Sequence, residues 1–289
     1  MKFEELPGEL IFHILSYLKP LDVFYAFHNL INYRLQSIII DMYAIKYDED
    51  DYSSNLNISL VDVPLFMFDF ALSNVISFYS NMIHSLTLSN KRTPKQIDSF
   101  LEKYSFKYDF TYLKSLTLIE PTNDELNEIL PNLPNIQTLS IRSKHMYLFD
   151  RRLLQQILYV KRTLVNCFLS QFEFDYICQQ SRSFIRKLHI QSCDFSCFIH
   201  LFNSFLWLEF LEINFLSISP SQMFSSNQII QHEIKLKHFK LDTSNIAWHN
   251  LQIIFPLLKN LQRFSLGIAS DEGLTKSQRK TEKKIERIF

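Results

Sequence analysis

Glycine is nearly missing from this chain. Only Gly8, Gly267 and Gly273 occur in 289 residues, and they lie too far apart to build a loop that cradles phosphate. That excludes the Rossmann fingerprint, the Walker A loop and the kinase glycine loop. The nucleophile elbow, which needs a Gly on either side of its Ser, goes with them. An excess of charge of one sign is missing too. Thirty Lys and Arg balance thirty Asp and Glu, so no global field draws nucleic acid or an anionic membrane, and neither is expected as a partner. The uncharged stretch Phe195 to Leu208 contains His200, Asn203 and Ser204 and is too short to span a bilayer. The first nine residues hold three acids and no apolar core of a signal peptide. The expectation is a soluble intracellular protein, cytoplasmic and/or nuclear, whose Cys167, Cys178, Cys193 and Cys197 are reduced thiols.

What is abundant is large apolar side chains, twenty-seven Phe among them, and they recur in a pattern. Apolar-x-x-apolar-x-apolar appears as Ile83-Leu86-Leu88, Leu113-Leu116-Leu118, Ile136-Leu139-Ile141, Leu164-Cys167-Leu169, Ile185-Leu188-Ile190, Leu208-Leu211-Ile213, Leu236-Phe239-Leu241 and Leu261-Phe264-Leu266. The eight copies start on average about 25 residues apart. A strand alternates its side chains, and a return segment then carries the chain back to begin the next parallel strand. Most return segments read as helical. Thr122-Asn123-Asp124-Glu125 offers caps ahead of Leu126, Ile129 and Leu130, and Pro131 and Pro134 are expected to stop that helix. Comparable stretches are Pro94 to Tyr104, Asp150 to Tyr159, Asp175 to Gln180, Phe195 to Phe205, Pro220 to Asn227 and Ile246 to Leu258. The alternation predicts a curved α/β solenoid in which each unit covers its neighbour's apolar face. Phe100, Phe106, Phe110, Phe172, Phe174, Phe195, Phe198, Phe202, Phe205 and Phe255 are the expected filler between the strand and helix layers.

The pattern resembles leucine-rich repeats from about Asn81 to Ile268. The family's turn position after the strand usually carries Asn or Cys. Here only Cys193 occupies it, against Lys91, Pro121, Lys144, Phe172, Leu216, Ser244 and Ala269, so a continuous Asn ladder is not expected. The resemblance implies parallel strands on a concave face and helices on a convex one.

Near the start, Leu6, Leu10, Ile11, Ile14, Leu15 and Leu18 form a helical apolar stripe that Pro20 ends, and Asp22 can cap a second helix through Val23, Phe24, Phe27, Leu30 and Ile31. Leu6, Pro7, Glu9, Ile14, Leu15, Tyr17, Leu18, Pro20 and Asp22 resemble, in order and without a gap, the first two helices of an F-box. The match fades at the third helix, where Asn29-Leu30 and Arg34-Leu35 replace the family's usual Val-Cys and Trp. The resemblance implies docking on a Skp-type adaptor, and through it a cullin, with Leu6, Pro7, Leu10, Ile14, Leu15, Leu18, Leu21 and Phe24 as the contact. The alternative is that these side chains simply pack on the first repeat.

The expected organisation is α/β: a helical F-box-like domain over 1–47, a linker and capping helix over 48–80, a solenoid of about eight repeats over 81–270, and a charged tail over 271–289. Asp48 to Asp51 reads as a solvated turn and Pro64 to Asn81 as the capping helix. The tail, with six basic and four acidic residues, reads as frayed or disordered.

On the concave face the strand residues shift from hydroxyls (Ser85/Thr87, Ser115/Thr117, Thr138/Ser140) to aromatic and basic ones (Asn166/Phe168, Lys187/His189, Phe210/Glu212, His238/Lys240, Arg263/Ser265). One reading makes Arg186, Lys187, His189, Lys237, His238, Lys240 and Arg263, with Phe168 and Phe210 as apolar anchors, the seat of a protein substrate that is acidic or phosphorylated. The other lets Arg186–Glu209–Lys237 and His189–Glu212–Lys240 neutralise one another across neighbouring strands. Cys193, Cys197 and His200 lack a fourth ligand and the paired spacing of a zinc site, and no catalytic triad is recognisable. No metal or cofactor is expected. The combined expectation is the non-catalytic substrate-recognition subunit of an SCF-type cullin-RING E3 ubiquitin ligase. The alternatives are a repeat scaffold without a ligase role and, last, an enzyme whose site assembles only in space.

Overall fold

Within each of two units, strand after strand lies parallel to its predecessor. The computed structural model describes residues 3–27, 34–35, 37–39, 56–133, 135–143, 162–170, 183–194, 205–217, 235–243 and 260–268. The chain divides into two units, Met1–His145 and Met146–Phe289. In the first, the strands β1 (Leu56–Ser59), β2 (Ile83–Ser89), β3 (Ser115–Ile119) and β4 (Thr138–Arg142) lie side by side in sequence order. In the second, β5 (Asn166–Leu169), β6 (Lys187–Asp194), β7 (Phe210–Ser217), β8 (His238–Thr243) and β9 (Arg263–Ile268) do the same.

All eight expected strands are present, and the register follows the repeat. Leu86, Leu116 and Leu139 stand opposite one another, as do Leu88, Leu118 and Ile141. In the second unit Cys167, Leu188, Leu211, Phe239 and Phe264 form one row, and Leu169, Ile190, Ile213, Leu241 and Leu266 the next. Every apolar position of the first seven copies is at most 2% exposed. A one-residue slip would turn each of these rows to the opposite face, so burial alone locks the register. Leu261 and Phe264 of the last copy are only half-buried.

The structure adds a ninth strand where the sequence pointed to a linker. Leu56, Ile58 and Leu60 alternate inward and are at most 2% exposed, and β1 pairs with β2 across a register shift at Leu56/Asn57. The repeat pattern misses it because Leu56, opposite Ile83, stands two residues ahead of Ile58 where the repeat has three, the difference taken up by the register shift. The expected capping helix is therefore the return from β1 to β2. It runs as α3 (Leu65–Phe70), a π-turn stretch (Ala71–Ile76), α4 (Ser77–Tyr79) and a 3-10 turn (Ser80–Met82).

Further along, α5 (Gln96–Leu101), α6 (Phe106–Asp109) and α7 (Asn123–Asn132) carry the chain back between β2, β3 and β4. Phe100, Phe106 and Phe110 meet with centroids 5.5 to 5.6 Å apart and are at most 1% exposed, the filler role expected of them. Phe205 in the second unit is also buried. The remaining Phe candidates, and the return helices expected after Arg142, lie outside the described residues.

The α7 helix starts as expected, with Thr122 and Glu125 in a reciprocal capping box. It does not stop at Pro131, which sits inside its last turn. A proline there gives up the bond its N–H would have made and crowds the preceding turn, a cost confined to the helix end, where Asn132 Nδ2 donates to the Glu128 carbonyl at 2.8 Å. The stop comes from Pro134 instead, because the residue before a proline avoids helical backbone; Leu133 is extended, with ψ 137°. With glycine scarce, the left-handed positions fall to Asp62, Lys95 and Glu120, at φ 58°, 64° and 55°, each at a cost of about 1–2 kcal/mol.

At the N-terminus, α1 (Gly8–Leu15) and α2 (Pro20–Phe27) form the expected helix pair. Pro20 is the first residue of α2 rather than merely the end of α1, a position where its missing N–H is no loss. Asp22 lies in the first turn of α2, where its charge suits the positive end of the helix dipole. Residues 34, 35 and 37 to 39 are helical, with Leu35 and Ile39 buried. Arg34 Nη2 donates to the Leu6 carbonyl at 2.9 Å and so ties this third segment to the start of the first. Among the described residues no helix is long and apolar enough to cross a membrane.

Candidate functional site

Two surfaces hold the residues singled out by the sequence. The first is on the N-terminal helices, and the structure splits that set in two. Leu15, Leu21 and Phe24 are buried, the last against Tyr79 with ring centroids 5.1 Å apart. Ile11 and Val23 are buried beside them. Leu10, Ile14 and Leu18 are 42 to 49% exposed, Pro7 is exposed and Leu6 is half-buried. Spacing of four residues puts Leu10 and Ile14 on one side of α1, and Leu18 follows in the turn after it. Phe12, Tyr17 and Tyr25 are exposed as well; Tyr17 stacks edge-on to His13, and Tyr25 to Phe66 and Phe70. So much apolar surface on one small helical segment makes it a candidate site.

The second surface is the strand face of the second unit. Phe168, His189, Phe210 and His238 form a continuous ladder with centroid separations of 5.9, 5.0 and 6.3 Å and interplanar angles of 31°, 38° and 41°. Cross-strand register creates it: Phe168 faces His189 and Phe210 faces His238, and the His189–Phe210 contact is the diagonal between them.

The ladder runs beside Glu212. Its carboxylate accepts from Lys240 Nζ at 2.7 Å and meets His189 Nδ1 at 2.8 Å. Burial by itself raises the Glu212 pKa, but the hydrogen bonds from Lys240 and His189 and their charges outweigh it and hold the group below the usual carboxylate range. The row His189–Glu212–Lys240 thus neutralises itself as one of the two sequence readings expects. The neighbouring row does so only in part: Lys237 reaches Glu209 at 3.5 Å, both sides about half-exposed, worth at most about 1 kcal/mol. Among the described residues Arg186, Lys187 and Arg263 have no ion-pair partner, and all three are exposed. On the rim just ahead of the strands, Lys235 Nζ sits 3.8 Å from the centre of the Trp207 ring.

A polar node in the first unit escaped the sequence reading. Asn90, one residue before the expected turn position Lys91, donates through Nδ2 to both Glu125 oxygens at 2.8 and 2.9 Å and to the Glu120 carbonyl at 3.3 Å. Its Oδ1 accepts from the Ile97 amide at 3.0 Å. Glu125 is 2% exposed and also accepts from the Thr122 amide at 2.6 Å. Burial raises its pKa against the hydrogen bonds from Asn90 and Thr122, and the nearby Asp98 adds to the rise. Asn90 thus ties the turn after β2 to the turn after β3 and to the start of α5, one residue ahead of the position where the sequence pattern placed such a residue. The signal in the sequence was an Asn directly after the Ile83–Ser89 strand, with an acid thirty-five residues on.

Elsewhere the chemistry is sparse. Cys167 is fully buried, which pushes its thiol up to about 12 and keeps it protonated and unreactive. Cys193 lies in β6, while Cys197, His200 and Cys178 are outside the described residues. Among the described residues no cluster could hold a metal ion. A cleft of about 300 Å³ on the helical side of the first unit brings Glu102, Asp109 and Glu128 together, and Asp109 is already engaged in capping the Ser105 amide at 2.7 Å. No protein-family model matches the chain, and no curated protein matches it.

Proposed function

We propose that this chain is the non-catalytic substrate-recognition subunit of an SCF-type cullin-RING E3 ubiquitin ligase, its N-terminal helices an F-box that docks a Skp-type adaptor and its strands the rungs of a leucine-rich-repeat solenoid that holds the protein to be modified. The observation that carries the reading is the exposure of Leu10, Ile14 and Leu18 above a buried layer of Ile11, Leu15 and Leu21. A helix that has already filled its own core and still presents such a stripe is built for a partner of the helix-in-groove kind. The aromatic and basic strand face of the second unit supplies a place for an acidic or phosphorylated protein substrate, with Phe168 and Phe210 as anchors. Transfer works by proximity: the receptor raises the local concentration of the substrate's lysines near a charged ubiquitin carrier, and no residue of this chain performs bond chemistry.

The test is co-purification with a Skp-type adaptor. Ile14→Asp and Leu18→Asp should abolish it while leaving the circular dichroism spectrum unchanged, since both side chains face solvent in the isolated chain. Full binding by folded variants would refute the interface. A second reading, a repeat scaffold capped by its own N-terminal helices, draws on the burial of Phe24 against Tyr79 and of Val23. It predicts that neither substitution affects any ligase association because there is none.

A further inference from the structure

We infer that the strand face of the second unit binds an extended acidic segment at two separated anion positions, Lys187 and Arg263, and that Glu212 keeps anions out of the space between them. The inference rests on the reading of this face as the substrate surface and names the pattern it selects.

Three rows of the face carry the cations Arg186, Lys187, Lys237, Lys240 and Arg263 against the acids Glu209 and Glu212. The charge balance therefore favours an anionic partner. The acids are not spread evenly. Glu212 holds Lys240 and His189 in the middle of the face, and Glu209 engages Lys237. An anion placed there meets the repelling Glu212 carboxylate and neighbours whose attraction that carboxylate already takes up. Lys187 and Arg263 stand clear of this network as the two cations of one register row, Asn166–Lys187–Phe210–His238–Arg263. Three strand spacings separate them, about 14 Å. An extended chain advances about 3.3 Å per residue, so acids four residues apart span about 13 Å and meet both cations. The residue midway between them lands over Phe210 and His238, where an apolar side chain fits.

The rings select against the other common polyanion. Within the ladder, His189 and Phe210 each have a ring on either side, so their faces are taken up by neighbours and a nucleobase has no free inner face to stack on. A regular phosphate backbone would also set charges over Glu212. Carboxylates and phosphorylated side chains satisfy the same two cations, and the experiment separates them.

Fluorescence anisotropy with labelled synthetic peptides on the full chain tests this. One peptide carries Asp-Ser-Leu-Ser-Asp, a second the same residues with the two Asp adjacent, a third phosphoserine in place of both Asp in the spaced order, and a short single-stranded oligonucleotide is the fourth probe. The spaced peptides should bind about tenfold more tightly than the adjacent one, and Lys187→Ala or Arg263→Ala should each cost about tenfold, the loss of one charge-assisted contact. Whichever spaced peptide binds more tightly identifies the anion. Glu212→Gln releases Lys240 and His189, so the adjacent-Asp peptide should gain about tenfold and the spacing preference should vanish; misfolding cannot mimic a gain. Equal binding of both spacings, tighter binding of the oligonucleotide, or no gain in Glu212→Gln overturns the inference. If no peptide binds while the adaptor still co-purifies, the inference falls and the adaptor reading stands. If the spaced peptide binds and the adaptor does not, the ligase reading falls and the inference stands.

Discussion

Replacing Asn90 tests how the first unit holds its turns together. Asn90→Ala removes the side-chain donor facing both oxygens of a carboxyl group that is 2% exposed, and strips the Ile97 amide of its acceptor. A hydrogen bond to a charged group is worth about 1.5–3 kcal/mol, and an orphaned buried donor costs about 1–3 kcal/mol. The two losses share one pocket and do not simply add, so the expected destabilisation is about 3–5 kcal/mol. For a unit of this size each kcal/mol lowers the midpoint by about 2–4 °C, which puts the fall near 10 °C. Asn90→Asp sharpens the test. It keeps the volume but sets a third carboxylate beside Glu125 and Asp98, so at neutral pH it should lose at least as much as Asn90→Ala and recover on acidification as a proton is shared. Both tryptophans, Trp207 and Trp248, lie in the second unit, so their fluorescence does not report on this node directly. Far-UV circular dichroism and hydrogen exchange of the Ile97 amide do. Variants within 1 kcal/mol of the parent chain, or identical pH profiles for the Ala and Asp substitutions, would refute the node.

Two carboxylates should give opposite pH signatures. Glu125 has a raised pKa, so its contribution to stability is fully present below the ordinary Glu range and is lost as pH rises through the raised value; Glu125→Gln should flatten the stability profile of the first unit in the weakly acid range. The pKa of Glu212 is lowered, so its contribution is present above the ordinary Glu range and disappears as pH falls through the lowered value, and Glu212→Gln should remove that acid loss from the second unit, read by tryptophan fluorescence. In the layer behind the strands, Phe100→Ala opens a cavity among Phe106, Phe110 and Tyr104. It should cost about 3–5 kcal/mol, and a loss under 1 kcal/mol by denaturant unfolding would show that the ring cluster collapses to fill it.

The exposed surfaces were legible to different degrees. The aromatic and basic residues of β5 to β8 were placed on one face by strand alternation, because a period of two dictates it. Which charges remain available was not, since Arg186 and Lys237 look equivalent in sequence and only the side-chain geometry gives Glu209 to Lys237. The apolar stripe of α1 likewise forms a single set in the sequence. Burial divides it, because helical spacing says which residues share a side and not how deep each one sits once α2 and the segment around Leu35 and Ile39 pack around α1. A lone Asp at Leu15, equivalent in sequence to one at Leu18, would therefore break the helix pair rather than the interface.

By itself the sequence determined the parallel register, the rows of buried Leu, Ile, Val-sized and Phe side chains, and the want of glycine loops, because a strict repeat leaves one way to bury an apolar face. The tertiary structure decided the rest. It recruited Leu56 to Ser59 as a further strand because the Ile83–Ser89 strand offered an open edge. It moved the turn-binding Asn to position 90, and it filled the left-handed turn positions with Asp62, Lys95 and Glu120 in place of glycine. Each of these depends on what a neighbouring repeat presents in space, which local propensity does not encode.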